Sequence, residues 1–237
     1  SESYKTYKCA NLYAYCIERS HQILSYIGIC GMIIPNSSIS ATKMAPVQDI
    51  IKAGKKCWIS NYSWRPAKLF EGADMLLAII IDKHNEIDTV YSTKYNKWYN
   101  EYRNFLFKNL AYNETTNINM ADSIAKLPSP LFTKIIEKLK IQDGKSSLTS
   151  SFLPTPTKHI LYYFRAVQYW FKVLDRIPIY KDNGEDCITG EMKPVYTLSE
   201  EEKYVIIAFL SSSLFFTNYI MWSSCQVVNS RDFQIPF

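Results

Sequence analysis

The sequence predicts an α/β fold, and three observations carry that reading. Short apolar runs such as Ile29–Ile34 and Leu76–Ile81 are bounded by turn residues, as buried strands are. Segments between and around them repeat apolar residues at helical spacing. Over 237 residues, 47% hydrophobic and 21% charged is the balance of a folded chain long enough to bury a core.

Asn11–Tyr26 reads as a helix because Leu12, Tyr15, Cys16, Arg19, Ile23 and Tyr26 share a face and Gly28 follows as a stop. Ile29–Ile34, ended by Pro35-Asn36, fits a strand buried on both faces, the kind found in parallel sheets. Ser40–Lys52 is the second helix, with Val47, Ile50 and Ile51 inward and Gly54 closing it. Cys57–Ile59 and Leu76–Asp82 are strands, and Thr89–Tyr91 is expected to pair with the latter across the polar Lys83–Asp88 turn. Tyr95–Leu110 is aromatic and amphipathic, and reads as a helix; Leu131–Leu139, after Pro128 and Pro130, is another. Gln142–Ser151 has the composition of a linker, which divides the chain into domains at 1–142 and 143–237. Beyond it lie the aromatic stretch Thr157–Val173, a polar loop at Lys181–Lys193, and a helix over Ser199–Asn218 opened by the capping-box-like Ser199-Glu200-Glu201-Glu202.

Composition excludes several functions. Glycine is scarce at 7, and no G-x-G-x-x-G, Walker loop or G-x-S-x-G occurs. Carboxylate pairs such as Glu200/Glu201 read as helix N-terminal charges. His21 sits beside apolar residues, which favours a packing or surface role over a ligand role. The six cysteines (Cys9, Cys16, Cys30, Cys57, Cys187, Cys225) form no C-x-x-C pair and the three histidines are scattered, so no metal site is expected. Such cysteines suit a reducing compartment; the polar opening is no signal peptide, and the apolar stretches Val205–Phe216 and Leu76–Ile81 are too short or interrupted to span a bilayer. A cytoplasmic protein with no membrane partner is the expectation. The formal charge of +5, with 18 Tyr and 12 Phe, permits a polyanionic partner.

A resemblance takes the reading further. Asn11-Leu12-Tyr13, Ile17-Glu18-Arg19-Ser20, Gly28 and Gly31-Met32-Ile33-Ile34-Pro35-Asn36-Ser37 resemble the segment that follows the catalytic motif in adenine-specific DNA methyltransferases, above all the type IIG restriction–modification enzymes. Arg65–Ala73 followed by Leu76–Ile81 is similar to their next landmark, a Phe-bearing loop before a core strand. Tyr91-Ser92-Thr93, Trp98 and Arg103–Phe107 are similar to the stretch leaving the catalytic domain, and Ile206–Phe215 with Asp232–Phe237 resembles the target-recognition region.

The resemblance implies the C-terminal half of a class I, Rossmann-like methyltransferase sheet followed by part of an α+β target-recognition region. The implied activity is methyl transfer from S-adenosylmethionine to the exocyclic amine of adenine, with the base flipped out of duplex DNA. The family's cofactor loop and its Asn/Asp-Pro-Pro-Tyr/Phe motif occur nowhere in this sequence. The chain alone is therefore expected to bind no cofactor and to be inactive, with a missing N-terminal catalytic half or subunit as its partner. Asn11 replaces the family's Asp, and Ser211-Ser212 replaces its Asn-Ser.

By the same resemblance Phe70 stacks on the flipped base, with a core role as the alternative, and Pro35 and Asn36 line the target-base pocket or simply end a strand. Duplex DNA needs cations against its phosphates. Lys158, Arg165 and Lys172 recur every seven residues, so in a helix they share one face with Tyr162 and Tyr169 nearby; Arg176 extends the set, and Arg103 with Lys97 forms a second patch. An ordinary amphipathic core helix gives the same pattern. Two other functions remain open: a non-catalytic DNA-specificity module that orients a catalytic partner, and a protein-interaction domain.

Overall fold

A computed structural model describes residues 4–84, 87–119, 122–140, 146–167, 169–187 and 189–237. The chain is mixed α/β and forms two compact units, Ser1–Ile136 with Met221–Ser224, and Glu137–Ile220 with Cys225–Phe237. Among the described residues no single helix is long and apolar enough to cross a membrane.

The first unit runs α1 (Leu12–Ile23), β1 (Ile29–Pro35), α2 (Ala45–Lys52), β2 (Lys55–Tyr62), β3 (Leu77–His84), β4 (Thr89–Asn96) and β5 (Asn113–Glu114). Its five strands stand in the order β1-β3-β2-β4-β5. β3 is antiparallel to both β1 and β2, β2 is parallel to β4, and β4 is antiparallel to β5. Two expectations change here. β4 pairs with β2 instead of closing a hairpin with β3, and β1 is an edge strand in an antiparallel pair, with Ile29 and Ile33 65% and 50% exposed. Its burial alternates, so the other face alone meets the core, where Ile34 packs with Ala14, Ile17, Val47, Ile51, Ile59 and Ile80.

Two buried polar groups tie α1 into this unit. The Glu18 carboxylate accepts hydrogen bonds from the Lys5 and Thr6 amides (2.9 and 2.8 Å) and from the Thr6 hydroxyl (2.8 Å). Burial opposes its ionisation, but these three donors outweigh burial and hold the carboxyl below its usual range. The sign follows: stability from Glu18 is present above the ordinary glutamate pKa, about 4.3, and is lost as pH falls through the depressed folded value. Glu18→Gln is expected to cost about 1–3 kcal/mol at neutral pH and to flatten the acid limb of a melting-temperature profile. Equal acid sensitivity in both proteins would show that the carboxylate is not the group responsible. His21 donates from Nδ1 to the Ile17 carbonyl at 2.8 Å and meets both Asp82 oxygens with Nε2 at 3.1 Å. Burial lowers its basicity, yet the Asp82 and Ile17 acceptors outweigh burial and raise the imidazole above its usual range.

The segment expected as a helix over Tyr95–Leu110 is instead the end of β4 and a 3₁₀ turn at Asn100–Phe105. Asn96, Asn100, Asn104 and Asn109 punctuate it, and asparagine side chains compete with helical backbone bonds. Residues 123–126 then hold the returning 221–224 segment. Ser123 Oγ donates to the Trp222 carbonyl (2.7 Å), and the fully buried Lys126 ammonium donates to the Ser223 carbonyl (2.6 Å).

Leading into the second unit, α3 (Leu131–Lys140) is followed by residues 142–145 of the expected linker, which lie outside the described residues; Leu148–Ser151 is a 3₁₀ turn with Leu148 fully buried. Then come β6 (Ile160–Phe164), β7 (Val173–Leu174), β8 (Lys181–Asp182), β9 (Glu185–Asp186), β10 (Met192–Tyr196), α4 (Glu200–Leu210) and α5 (Ser213–Trp222). One sheet is ordered β10-β6-β7, all antiparallel, and β8-β9 form a separate hairpin. Ser199 caps α4 as its sequence predicts, accepting from the Glu202 amide at 3.2 Å while Glu202 accepts from the Leu198 amide at 2.8 Å. The single helix expected over Ser199–Asn218 is broken at Ser211-Ser212, and its halves bend by 59°.

Candidate nucleic-acid interface

β1 and β2 are both antiparallel to β3, so they run parallel to each other and to β4. Their carboxyl ends, at Pro35, Tyr62 and Asn96, therefore lie along one edge of the sheet, where open α/β sheets place ligands. Three asparagines organise this edge. The β2–β4 register slips between Ile59 and Asn61, so Thr93 and Lys94 bulge from β4 and lose ladder partners. Asn61 Nδ2 donates to the Thr93 carbonyl (2.9 Å) and to Ser92 Oγ (3.0 Å), and its amide N–H donates to Thr93 Oγ1 (3.1 Å). Asn96 Nδ2 donates to the Asn61 and Lys94 carbonyls at 2.9 and 3.0 Å. Side-chain amides thus restore the bonds that the bulge removes.

Pro35 is half-buried, and Asn36 is wholly buried just after it. The Asn36 amide N–H donates to the Leu76 carbonyl at 2.9 Å, and its Nδ2 donates to Asn61 Oδ1 at 3.2 Å. Asn36 Oδ1 and Ser38 Oγ have no partner among the described residues. Asn36 therefore belongs to the polar network beneath the edge, with one acceptor still to spare.

Above that network, residues 63–76 and 97–109 fold against each other. Ala67, Leu69, Trp98 and Leu106 pack with Tyr62 and Leu77. The Ala67 amide donates to the Trp98 carbonyl (3.1 Å), and Arg103 reaches across to the Lys68 and Leu69 carbonyls (2.5 and 3.1 Å). Arg103 thereby fixes the loop that carries Phe70, whose ring is 45% exposed while Leu69 beside it is buried. Next to it, Lys94, Lys97, Trp98, Tyr99, Tyr102 and Phe105 line a groove of about 240 Å³. Tyr99, Tyr102, Phe105 and Phe107 are all exposed. Exposed aromatic faces beside Lys94, Lys97 and Lys108 can stack on bases while these cations meet phosphates. The charge follows the same division: the first unit holds sixteen Lys and Arg against eleven Asp and Glu, the second eleven against eleven.

The other expected DNA contacts lie in the second unit and do not form a helical face. Residues 157–173 contain β6 and the approach to β7. Lys158 precedes β6 and is exposed, and Arg165 follows it. The five-residue strand between Lys158 and Arg165 holds those two apart, whereas the antiparallel β6–β7 pairing sets Lys172 opposite Phe164, beside Arg165. Arg165 pairs with Glu191 (3.4 Å), Arg176 with Asp175 (3.3 Å), and the Lys172 ammonium lies 5.6 Å over the Phe164 ring. The expected helical face gives way because Ile160–Phe164 is a β-branched and aromatic run that pairs on both sides.

The sequence reading missed Asn61, Asn96, Tyr99, Tyr102 and Phe105. Placing Thr89–Tyr91 against β3 separates Asn61 from β4, and a helix over Tyr95–Leu110 buries half of the aromatic set. No protein-family model and no curated protein matches this sequence.

Proposed function

We propose that this chain is the DNA-handling part of an adenine-specific DNA methyltransferase of the restriction–modification kind. The observation that carries the reading is the aromatic and cationic surface at the carboxyl edge of β1, β2 and β4, with Phe70 on a braced loop beside it.

Methylating an adenine amine requires the base outside the stack. Lys94, Lys97 and Lys108 meet the backbone phosphates, and Phe70 offers its exposed ring to the extrahelical base, a contact worth about 1–3 kcal/mol. Arg103 is a positioning residue, because its guanidinium holds the Phe70 loop. In the intact enzyme S-adenosylmethionine supplies the methyl group. The residues present do not fit that cofactor: both strand-to-helix passages of the first unit, residues 36–44 and 115–130, contain no glycine, so neither offers the close backbone approach such a ligand needs. A catalytic partner segment provides it. The same observation favours a second reading, a non-catalytic DNA-specificity module that orients a catalytic subunit.

The test is fluorescence anisotropy of labelled duplexes over a salt series. Affinity is expected to fall steeply with salt, and Lys94→Ala and Lys97→Ala each to lower the salt slope by about 1. A duplex carrying an unpaired adenine is expected to bind more tightly than a fully paired one, and Phe70→Ala to erase that difference. Binding that depends on Lys158, Arg165 and Lys172 but not on Lys94 and Lys97 would move the interface to the second unit. Methyl transfer by the purified chain alone would overturn the division of labour.

A further inference from the structure

A second cluster lies toward the opposite end of the sheet from this interface. α1 brings His21, β1 brings Cys30 and β3 brings Asp82 to one point, where the imidazole nitrogen, the thiol sulfur and a carboxylate oxygen all lie within 4.8 Å of one another. Cys30, Asp82 and Cys57 are direct neighbours across β1, β3 and β2, so they form one row on the sheet. Cys30 and Asp82 are buried, and the His21 side chain is 9% exposed. All three residues line a cavity of about 10 Å³ whose remaining walls are apolar, including Ile17, Ile51 and Ile80. That is room for a single water-sized sphere.

From this convergence of three ligand atoms on one ion-sized cavity, we infer that His21, Cys30 and Asp82 form a binding site for one divalent cation of the zinc type. The imidazole is already aimed. Nδ1 is held by the Ile17 carbonyl at 2.8 Å, the second-shell bond that metal-binding histidines make, and this leaves Nε2 facing the acid and the thiol. Metal–ligand bonds of 2.0–2.3 Å place tetrahedral ligand atoms about 3.3–3.8 Å apart. Nε2 and Asp82 stand at 3.1 Å, so the three ligands need to adjust by only about an ångström. Thiolate, imidazole and carboxylate together select zinc or cobalt over magnesium and calcium. Charge balances as well: a thiolate and a carboxylate neutralise the dication, and a buried neutral site avoids an uncompensated charge. Binding requires the Cys30 thiolate and an unprotonated His21 Nε2, so the thiol proton and any proton on Nε2 leave to solvent while Nδ1 keeps its own. The ligands come from three separate elements, which is why no spacing motif announces them.

Cobalt(II) titration of the purified full chain tests the inference. A tetrahedral cobalt–thiolate site gives intense visible bands and a near-ultraviolet sulfur-to-cobalt band. Both are expected to saturate at one equivalent and to vanish on addition of zinc. Cys30→Ser is expected to remove the sulfur band and His21→Gln to abolish tight binding, while Cys16→Ser, at an exposed thiol, leaves both intact. If Cys30→Ser fails to fold, alkylation of the wild-type chain decides: zinc is expected to slow Cys30 modification by tenfold or more. A spectrum that remains that of aqueous cobalt, a sulfur band that survives Cys30→Ser, or Cys30 alkylation unaffected by zinc overturns the site.

Discussion

Asn61→Leu is expected to lower the free energy of unfolding by about 3–5 kcal/mol, because the substitution strands several buried partners at once. The Asn61 side chain serves Ser92 Oγ, the Thr93 carbonyl and Asn36 Nδ2, all buried where water cannot replace it. A leucine of similar volume fills the space and satisfies none of them. Ser92→Ala removes only one partner of the same network and is expected to cost about 1 kcal/mol. Urea denaturation of both variants measures the ratio. A loss below 1 kcal/mol for Asn61→Leu would mean that the β4 bulge relaxes without its bracket. DNA affinity is expected to fall with stability here, since Asn96 leads directly into the Lys97–Phe105 wall of the groove.

Phe233→Ala is the second large effect, confined to the other unit. The Phe233 ring is buried at the hub of an aromatic cluster, with centroids 5.1 Å from Tyr163, 5.4 Å from Phe152, 5.9 Å from Phe215 and 6.1 Å from Phe171. Truncating a buried phenylalanine costs about 3–5 kcal/mol from lost transfer energy and the cavity left behind. A local capping box fixes its backbone, the Asn229 amide donating to Asp232 Oδ2 at 2.8 Å. Phe237, partly exposed, provides the comparison. Near-ultraviolet circular dichroism and urea melts should show Phe233→Ala losing aromatic packing while Phe237→Ala barely moves. Equal effects would show that the cluster has no centre.

Much of the first unit was legible because local signals agreed with tertiary demand. The Pro35-Asn36 pair ends β1 and Ser199 starts α4 where its hydroxyl meets an orphan amide, but α1 stops at Ile23, short of Gly28, and buries Ala14, Ile17 and Glu18 while Leu12, Ile23 and Tyr26 are exposed. Strand pairing was less legible. Leu77–His84 and Thr89–Asn96 are close in sequence, which suggests a hairpin, yet β2 lies between them. Only side-chain complementarity across β2 and β4, with asparagines matched to a bulge, selects that order, and it has no sequence period. The stretch Thr157–Val173 is ambiguous for a different reason: its aromatic residues suit a helix face or a strand, and the seven-residue recurrence of Lys158, Arg165 and Lys172 makes one face only in a helix, whereas here the segment pairs as strands. Phe70 was found through a family likeness. Its brace, Arg103, was identified as a residue of interest for phosphate contact, whereas its guanidinium binds carbonyls of its own chain.

The path of the chain between the two units bears on how it is made. Lys126 lies 95 and 97 residues before the carbonyls of Met221 and Ser223 that receive its ammonium. At 5–20 residues per second, a ribosome needs about 5–20 s to cover that stretch. During that time the Met221 and Ser223 carbonyls, two acceptors of this fully buried cation, are not yet synthesised. Translation has by then produced most of the second unit, which awaits Cys225–Phe237 in its turn. The first unit therefore takes in residues 221–224 only after most of the second has been translated, which gives it a contact of long sequence separation.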